Sequence, residues 1–167
     1  MFHFWVSYAI SGNVCQLDFD FGPHECIVIP SSLPRSTTLE VLWLRSDCFL
    51  PVPSDCACFP TLKILHVVLN NPTNTLTKHL FSNCPSFEDL SIQASWGSDG
   101  PLTNFIISLV TLNRLYFCVK CRNLSFCRNE NTILITAPNL DFLYVMGLIP
   151  FNKPQWVSVS GMVNCWS

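Results

Sequence analysis

Residues 39–44 read Leu-Glu-Val-Leu-Trp-Leu, and their pattern of apolar side chains recurs through the chain. The pattern is an apolar residue, two others, a second apolar residue, one other and a third apolar residue. Its six copies begin at residues 14, 39, 62, 87, 112 and 140, so consecutive copies lie 23 to 28 residues apart. This spacing falls within the range of leucine-rich repeats, which is about 20–29 residues.

The repeated pattern predicts the fold. In a strand, successive side chains point to opposite faces, so the last two apolar residues of each copy point inward together. One repeat has too little surface for a core, but stacked repeats pair their strands in parallel and share one. The sequence therefore predicts an α/β fold, a right-handed leucine-rich-repeat solenoid of about six irregular repeats with a curved parallel sheet. We assign the repeat domain to residues 1–151 and an irregular tail or capping segment to residues 152–167.

The segments outside the six strands predict the remaining elements. Residues 2–10 are expected to form a short helix that covers the first strand, and residues 30–34 a turn. Apolar residues at helical spacing predict a helical return over residues 74–84, and we expect a second one over residues 100–109. In the tail, residues 156–159 are expected to form an extra strand.

The composition argues against several classes of protein. Apolar residues make up 49% of the chain and charged residues 12%, which is too apolar for a disordered protein. The formal net charge of −2 leaves no basic surplus to neutralise phosphates, so we expect no nucleic-acid partner. No stretch approaches the ~18 apolar residues of a membrane-spanning helix, and the N-terminus lacks the basic start of a signal peptide. We therefore expect a cytoplasmic or nuclear protein without membrane contact.

Ten cysteines raise the question of disulfides or a metal. Without a secretory signal, we interpret them as mostly reduced packing residues, because free Cys behaves as a small hydrophobe. As a second hypothesis, the chain is a zinc-binding or redox protein that uses Cys118 and Cys121. Cys127 lies nearby in the sequence, whereas Cys56 and Cys58 lie elsewhere. Cys56 and Cys58 are too close to each other, and too far along the chain from Cys118 and Cys121, for a typical zinc site. A redox pair of cysteines needs to lie at the start of a helix. We expect no metal and no cofactor.

Catalytic chemistry has one candidate arrangement. His66 and Ser91 fall at equivalent positions of consecutive strands, which lie ~4.8 Å apart in a sheet. Nucleophilic catalysis would also need an acid that orients His66, and neither Asp47 nor Asp89 is placed for it. We therefore predict a hydrogen-bonded surface pair of His66 and Ser91 in a protein that is not an enzyme.

Several segments resemble plant F-box leucine-rich-repeat proteins. The stretch Phe81-Ser-Asn-Cys84-Pro85-Ser-Phe87-Glu-Asp-Leu90-Ser-Ile92 is similar to their signature of leucine, Cys-Pro, leucine, Glu and leucine. Residues 5–21, 29–44, 59–67 and 135–143 resemble other parts of the same repeat region, in the same order. The resemblance implies the domain with which these subunits of cullin-type ubiquitin ligases recognise their substrates.

The resemblance does not extend to the F-box, the segment with which family members dock on the ligase adaptor. The first repeat begins at residue 14, which leaves no room for an F-box before it. We therefore expect the chain to lack its own F-box and not to bind the adaptor. A fragment, a stand-alone paralogue and a non-functional truncated paralogue all stay open as interpretations.

The exposed strand positions supply the candidate binding site. In such a solenoid the strands line a concave face, and the positions between the buried residues point out from it. Trp, Tyr and Arg are the residue types most often found as interface hot spots. A strand face can also carry aromatic residues without any ligand, and that alternative stays open. We predict that a protein or peptide ligand binds this face through seven residues: Trp43, Arg45, His66, Ser91, Arg114, Tyr116 and Tyr144.

Overall fold

A computed structural model shows that short strands are the main elements of the described part of the chain. The described residues are 2–20, 27–45, 48–49, 59–70, 81, 84–96, 105–121, 133–147, 155–159 and 162–166. Their elements in chain order are α1 Phe2–Ser11, β1 Gln16–Phe19, β2 Ile27–Val28, a 3-10 helix Leu33–Arg35, β3 Val41–Leu44, β4 Cys48–Phe49, β5 Ile64–Asn70, β6 Asp89–Trp96, β7 Phe105–Ser108, β8 Arg114–Cys121, β9 Ile133–Ala137, β10 Phe142–Gly147, β11 Gln155–Val159 and β12 Met162–Trp166.

The strands form one large parallel sheet and two smaller ones. Within the described residues, the main sheet contains seven strands in the order β1-β3-β5-β6-β8-β10-β12, and all neighbours run parallel. A second sheet has the order β11-β9-β7, and β2 pairs with β4 in a third. Successive strands of the main sheet are adjacent in space, with return segments between them. This arrangement confirms the predicted leucine-rich-repeat solenoid.

The repeats of the main sheet are aligned residue for residue. The middle apolar residues of the six copies form one row of paired positions: Leu17, Leu42, Leu65, Leu90, Leu115 and Leu143. From the second copy to the sixth, all three pattern residues are at most 1% exposed. In the first copy, Val14, Leu17 and Phe19 stay partly exposed, because β1 is an edge strand with a neighbour on one side.

Helix α1 lies before the first strand and contributes to the core. Val6 is fully buried there, and α1 packs against the 3-10 helix. The helix ends where the N–H of Gly12 donates to the carbonyl oxygen of Tyr8 at 2.9 Å and Asn13 takes a φ of 55°. Asn tolerates this left-handed conformation, which commonly ends helices. The helix predicted over residues 2–10 is thus confirmed, and in the described part of the chain no helix is long and apolar enough to span a bilayer.

The second helical return, predicted over residues 100–109, is wrong in its described part, because β7 occupies Phe105–Ser108, while residues 100–104 lie outside the described residues. Phe105 and Ile107 are buried whereas Ser108 is exposed, which is the alternation of a strand. Pairing with β9, in which Ile107 lies opposite Ile135, outweighs the weak helical spacing of this short apolar segment.

The other return segments are only partly described. A 3-10 helix, Leu33–Arg35, lies where a turn was predicted, and its Leu33 is fully buried. The predicted helical return over residues 74–84 falls outside the described residues except at Phe81, which is helical and buried, and at Cys84.

The tail contributes two strands. The extra strand predicted at residues 156–159 is confirmed as β11, which pairs with β9 in the second sheet. The next strand, β12, was not predicted, and it extends the main sheet by pairing with β10. The sheet therefore continues beyond the sixth copy of the apolar pattern.

Side-chain hydrogen bonds join successive repeats just before each strand. In the second to the sixth copy, the residue before the first apolar residue donates to a main-chain carbonyl oxygen of the preceding repeat, at 2.7 to 3.3 Å. These donors are Thr38, Thr61, Ser86, Thr111 and Asn139, and their acceptors are Val14, Leu39, Pro60, Pro85 and Val110. The row was not predicted, although a hydroxyl or amide side chain at the same position of five copies was a usable signal.

Candidate functional site

We call the face of the main sheet opposite the buried apolar rows the open face. The side chains between the buried positions lie there, as the alternation of burial along β3, β5 and β10 shows. Strand register sets the central positions side by side in one row: Asp18, Trp43, His66, Ser91, Tyr116 and Tyr144. All seven residues of the predicted site lie on this face, with Arg45 just beyond the end of β3 and Arg114 at the start of β8.

At one end of the open face, Arg45 is held by two neighbours. Its Nε and Nη2 donate to Oδ1 and Oδ2 of Asp18 at 3.1 and 3.0 Å. Its guanidinium carbon lies 5.0 Å from the ring centroid of Trp43, close enough for a cation–π contact. Both side chains of the ion pair are about half exposed, so the pair adds under about 1 kcal/mol to stability. Its main effect is to fix the guanidinium over the indole.

The other end of the row is aromatic. Tyr116 on β8 packs against Phe142 and Tyr144 on β10, with ring centroids 5.1 and 6.1 Å apart and tilted planes. The hydroxyl of Tyr144 donates to the sulfur of Met146 at 3.5 Å. Tyr116 remains 40% exposed, so its ring edge is available to a ligand.

Between the two ends the open face has a depression of about 370 Å³. Five of the seven predicted residues line it, namely Trp43, Arg45, His66, Ser91 and Tyr116, together with Ile64, Leu65 and Asp89. Its volume is at the lower end of the range of ligand pockets, about 300–1,000 Å³, and would hold a large side chain of a partner. Tyr144 does not line this depression, and Arg114 lines a neighbouring one.

His66 lines this depression, and its surroundings favour the uncharged imidazole. Burial lowers its pKa, and the nearby guanidinium of Arg45 lowers it further, against the opposing effect of Asp18. The predicted hydrogen bond between His66 and Ser91 is wrong. The two residues are paired in register, yet their side chains make no hydrogen bond to each other. His66 is therefore not positioned as a base for Ser91.

A second depression, of about 240 Å³, lies at the starts of the strands. It is lined by Ile64, Glu88, Asp89, Asn113, Arg114 and Asp141. Burial raises the pKa of Asp89. Nη1 of Arg114 lies 3.8 Å from Oδ2 of Asp89, and this cation lowers the same pKa by less than burial raises it. The acidic residues of this depression were not predicted as site residues.

A third ion pair lies beside the second depression. Lys63 Nζ donates to Oε2 of Glu40 at 3.0 Å, and this hydrogen bond raises the pKa of Lys63. The pair joins the residues that immediately precede β3 and β5. Glu40 holds the amine of Lys63 at hydrogen-bond distance, and Glu88 of the second depression adds a weaker electrostatic attraction to the same amine.

The cysteines are described in part. Cys84 is buried in the core, as predicted for a packing residue, whereas Cys15 is an exposed free thiol and Cys118 a half-buried one. Cys118 and Cys121 both lie within β8, so this pair does not sit at the helix start that a redox pair needs. Among the described residues there is no group of three or more His, Cys, Asp or Glu that could hold a metal ion, while Cys56, Cys58 and Cys127 lie outside them.

The parallel sheet, its residue-by-residue register and the 23 to 28 residue period define a leucine-rich-repeat solenoid. A family model described as the leucine-rich repeats of FBD-associated F-box protein At5g56370 matches residues 2–160. The chain therefore belongs to this family of F-box-associated leucine-rich repeats, which confirms the resemblance seen in the sequence.

Curated relatives from Arabidopsis thaliana agree with this assignment. Putative FBD-associated F-box protein At3g50710 is 31% identical over 144 residues, which cover 83% of this chain and 33% of that protein. FBD-associated F-box protein At5g56370 is 30% identical over 176 residues, or 97% of this chain and 38% of that protein. Putative F-box/LRR-repeat protein At3g59160 is 28% identical over 157 residues, or 90% and 33%. The chain thus spans about a third of the length of these relatives. No solved structure matches it significantly.

Proposed function

We propose that this chain is a protein-recognition module that binds a protein or peptide on the open face, which we take to be the concave face of a curved solenoid. The depression between Trp43 and Tyr116 is the observation that carries the proposal. It combines the exposed ring of Tyr116 and the half-buried ring of Trp43 with a guanidinium held in place, and such residues dominate binding energy at protein interfaces.

The mechanism that we propose is surface complementarity without covalent chemistry. Ser91 makes no hydrogen bond with His66, so the depression offers apolar contact and a few polar groups rather than an activated nucleophile. We therefore propose that the protein is not an enzyme.

The relatives from Arabidopsis thaliana extend the proposal to a biological setting. They are F-box proteins with leucine-rich repeats, and we propose that this chain likewise selects the proteins that a cullin-type ubiquitin ligase modifies. Docking on the ligase adaptor is not a role that we assign to these repeats. We place the function in the cytoplasm or nucleus, with neither a nucleic acid nor a membrane as partner.

Quantitative affinity capture from plant extract tests this proposal. The tagged chain is compared with a Trp43→Ala/Tyr116→Ala double variant and with Trp5→Ala as the control, since Trp5 lies on α1 and is 61% exposed. A bound protein should be recovered equally by the wild type and the control. The double variant should weaken its binding at least about 30-fold, as expected when hot-spot side chains are lost. Equal recovery by all three chains would remove the open face as the binding site.

A further inference from the structure

The two depressions of the open face adjoin each other. Both are lined by Ile64 and Asp89, which are paired in register on β5 and β6. Beyond this shared boundary their chemistry differs. The first, about 370 Å³, has Trp43 and Tyr116 in its walls, and the second, about 240 Å³, has Glu88 and Asp141.

The first depression favours an apolar side chain. Ile64 and Tyr116 are among the exposed large apolar residues of the described chain, with 36% and 40% of their surface accessible. A bound apolar side chain would remove this surface from water, which is the usual source of affinity in such a site. Two of the polar groups beside it do not oppose this, because burial disfavours the charged form of His66 and Arg45 is already paired with Asp18.

The second depression favours a cation. It contains the three carboxylates of Glu88, Asp89 and Asp141 against the single guanidinium of Arg114. Arg114 lies 3.8 Å from Asp89, near the limit of an ion pair, and its side chain is 64% exposed. Within the described part of the chain, Glu88 and Asp141 form no ion pair within 4.0 Å, although Glu88 interacts electrostatically with the more distant amine of Lys63, which Glu40 holds. A negative surplus of this kind attracts basic groups and repels acidic or phosphorylated ones.

The charge on Asp89 adds independent support. Its pKa is raised by burial, and Arg114 counteracts this only in part, so the ionised side chain is held at some cost to stability. Residues that lower the stability of a fold are often those that serve its function. A second cation close to Asp89 would relieve this cost, and a bound Lys or Arg would supply it.

We propose that the open face selects a protein segment in which a large apolar side chain and a Lys or Arg side chain lie near each other. The apolar side chain occupies the depression between Trp43 and Tyr116, and the cation occupies the one lined by Glu88, Asp89 and Asp141. This inference rests on the proposed protein-recognition function and specifies the chemistry of its partner.

A phage-displayed library of random 12-residue peptides tests this specificity with the purified full chain. Peptides enriched by the wild type should combine an aromatic or long aliphatic residue with a nearby Lys or Arg. Enrichment of acidic peptides, of apolar peptides without a basic residue, or of no peptide at all would overturn the inference. The capture experiment with extract would still decide the proposed function by itself.

Matched variants locate the cation site. Asp141→Asn and Asp20→Asn are the same substitution with the same change of charge, but Asp20 follows β1 and lines neither depression. Asp141→Asn should lower the affinity for an enriched basic peptide about 1.5- to 5-fold, and the double variant Glu88→Gln/Asp141→Asn should lower it about 2- to 30-fold. The affinity of both variants should depend less on salt concentration than that of the wild type. Asp20→Asn should leave the affinity unchanged.

The variants also separate the two proposals. If Trp43→Ala/Tyr116→Ala abolishes peptide binding while Glu88→Gln/Asp141→Asn changes neither affinity nor sequence preference, recognition by the open face stands and the cation site is refuted. If Asp20→Asn weakens binding as much as Asp141→Asn, the charge effect is general and the proposed location is equally refuted. Circular dichroism of each variant identifies any loss of folding.

Discussion

Replacing Gly147 with Ala should strongly destabilise the solenoid. Gly147 is the last residue of β10 and lies opposite Val119 of β8, with a φ of 114° that L side chains rarely adopt. A Cβ atom there would lie 1.9 Å from the carbonyl oxygen and 2.9 Å from the carbonyl carbon of Val119. Both are backbone atoms of the neighbouring strand, so the clash cannot be relieved by turning a side chain. The two strands must separate or the backbone of β10 must change its conformation.

The size of this effect follows from the two ways of relieving the clash. A non-glycine residue in a sparsely populated backbone conformation costs about 1–3 kcal/mol. Separation of the strands at this point loses at least one ladder hydrogen bond, worth about 0.5–1.5 kcal/mol. We therefore expect Gly147→Ala to lower the free energy of unfolding by about 2–4 kcal/mol, which is a large part of the stability of an ordinary domain.

Urea unfolding followed by circular dichroism measures this change, and Gly12→Ala is the matched control. A Cβ on Gly12 would lie 3.3 Å from the carbonyl oxygen of Ala9, a tight but tolerable contact, and its backbone φ is not positive. Gly12→Ala should change the free energy of unfolding by less than about 1 kcal/mol. Equal unfolding midpoints for the two variants would refute the argument that β8 and β10 approach each other closely at Gly147.

Helix α1 and the open face give further predictions. Val6→Ala should lower the free energy of unfolding by about 1–3 kcal/mol because Val6 is fully buried. The control Trp5→Ala removes a side chain that is 61% exposed and should change this free energy by less than about 0.5 kcal/mol. A larger effect of Trp5→Ala would contradict the packing of α1. NMR titration should give His66 a pKa below 6.5. This pKa should rise in Arg45→Gln, because Arg45 lowers it, and stay unchanged in Arg114→Gln, because Arg114 does not act on it. An unchanged pKa in Arg45→Gln would contradict the contact geometry. As the pH falls, the imidazole of His66 takes up a proton more readily in the unfolded chain than in the folded one. The free energy of unfolding should therefore decrease below about pH 6.5, and it should decrease less in His66→Gln. Equal pH profiles of stability for the two chains would refute the burial of the ring.

The sequence predicted the main sheet and the composition of its central row. The apolar pattern fixes which strand positions are buried, and parallel stacking then places equivalent residues side by side. For this reason Trp43, His66, Ser91 and Tyr116 could be assigned to neighbouring positions before any coordinates were known. Only the period of the pattern and the alternation of a strand were needed.

Features that depend on contacts between return segments were beyond prediction. The apolar run that includes Phe105 and Ile107 fits a helix and a strand about equally, and its pairing with β9, far along the chain, decides between them. In the same way, the unpredicted β12 carries no copy of the apolar pattern, and its place is set by pairing with β10. Short segments of ambiguous pattern take the structure that their neighbours impose.

Side-chain contacts on the open face also exceeded what the pattern could indicate. Register places His66 beside Ser91, but it does not tell whether their polar atoms meet, and they do not. The bidentate pair of Asp18 and Arg45 crosses from one strand to a position beyond the end of the next. Such diagonal contacts depend on side-chain length and rotamer, which the repeat period does not specify.

The distribution of charge separates what stabilises the solenoid from what it can recognise. In the described part of the chain, the three ion pairs, Asp18–Arg45, Glu40–Lys63 and Asp89–Arg114, each join neighbouring repeats and each leave a side chain at least 47% exposed. Exposed pairs of this kind contribute under about 1 kcal/mol, whereas the buried rows that hold the repeats together are apolar. The open face can therefore change its charges with little loss of stability, so a change of binding in the charge variants reports recognition rather than unfolding.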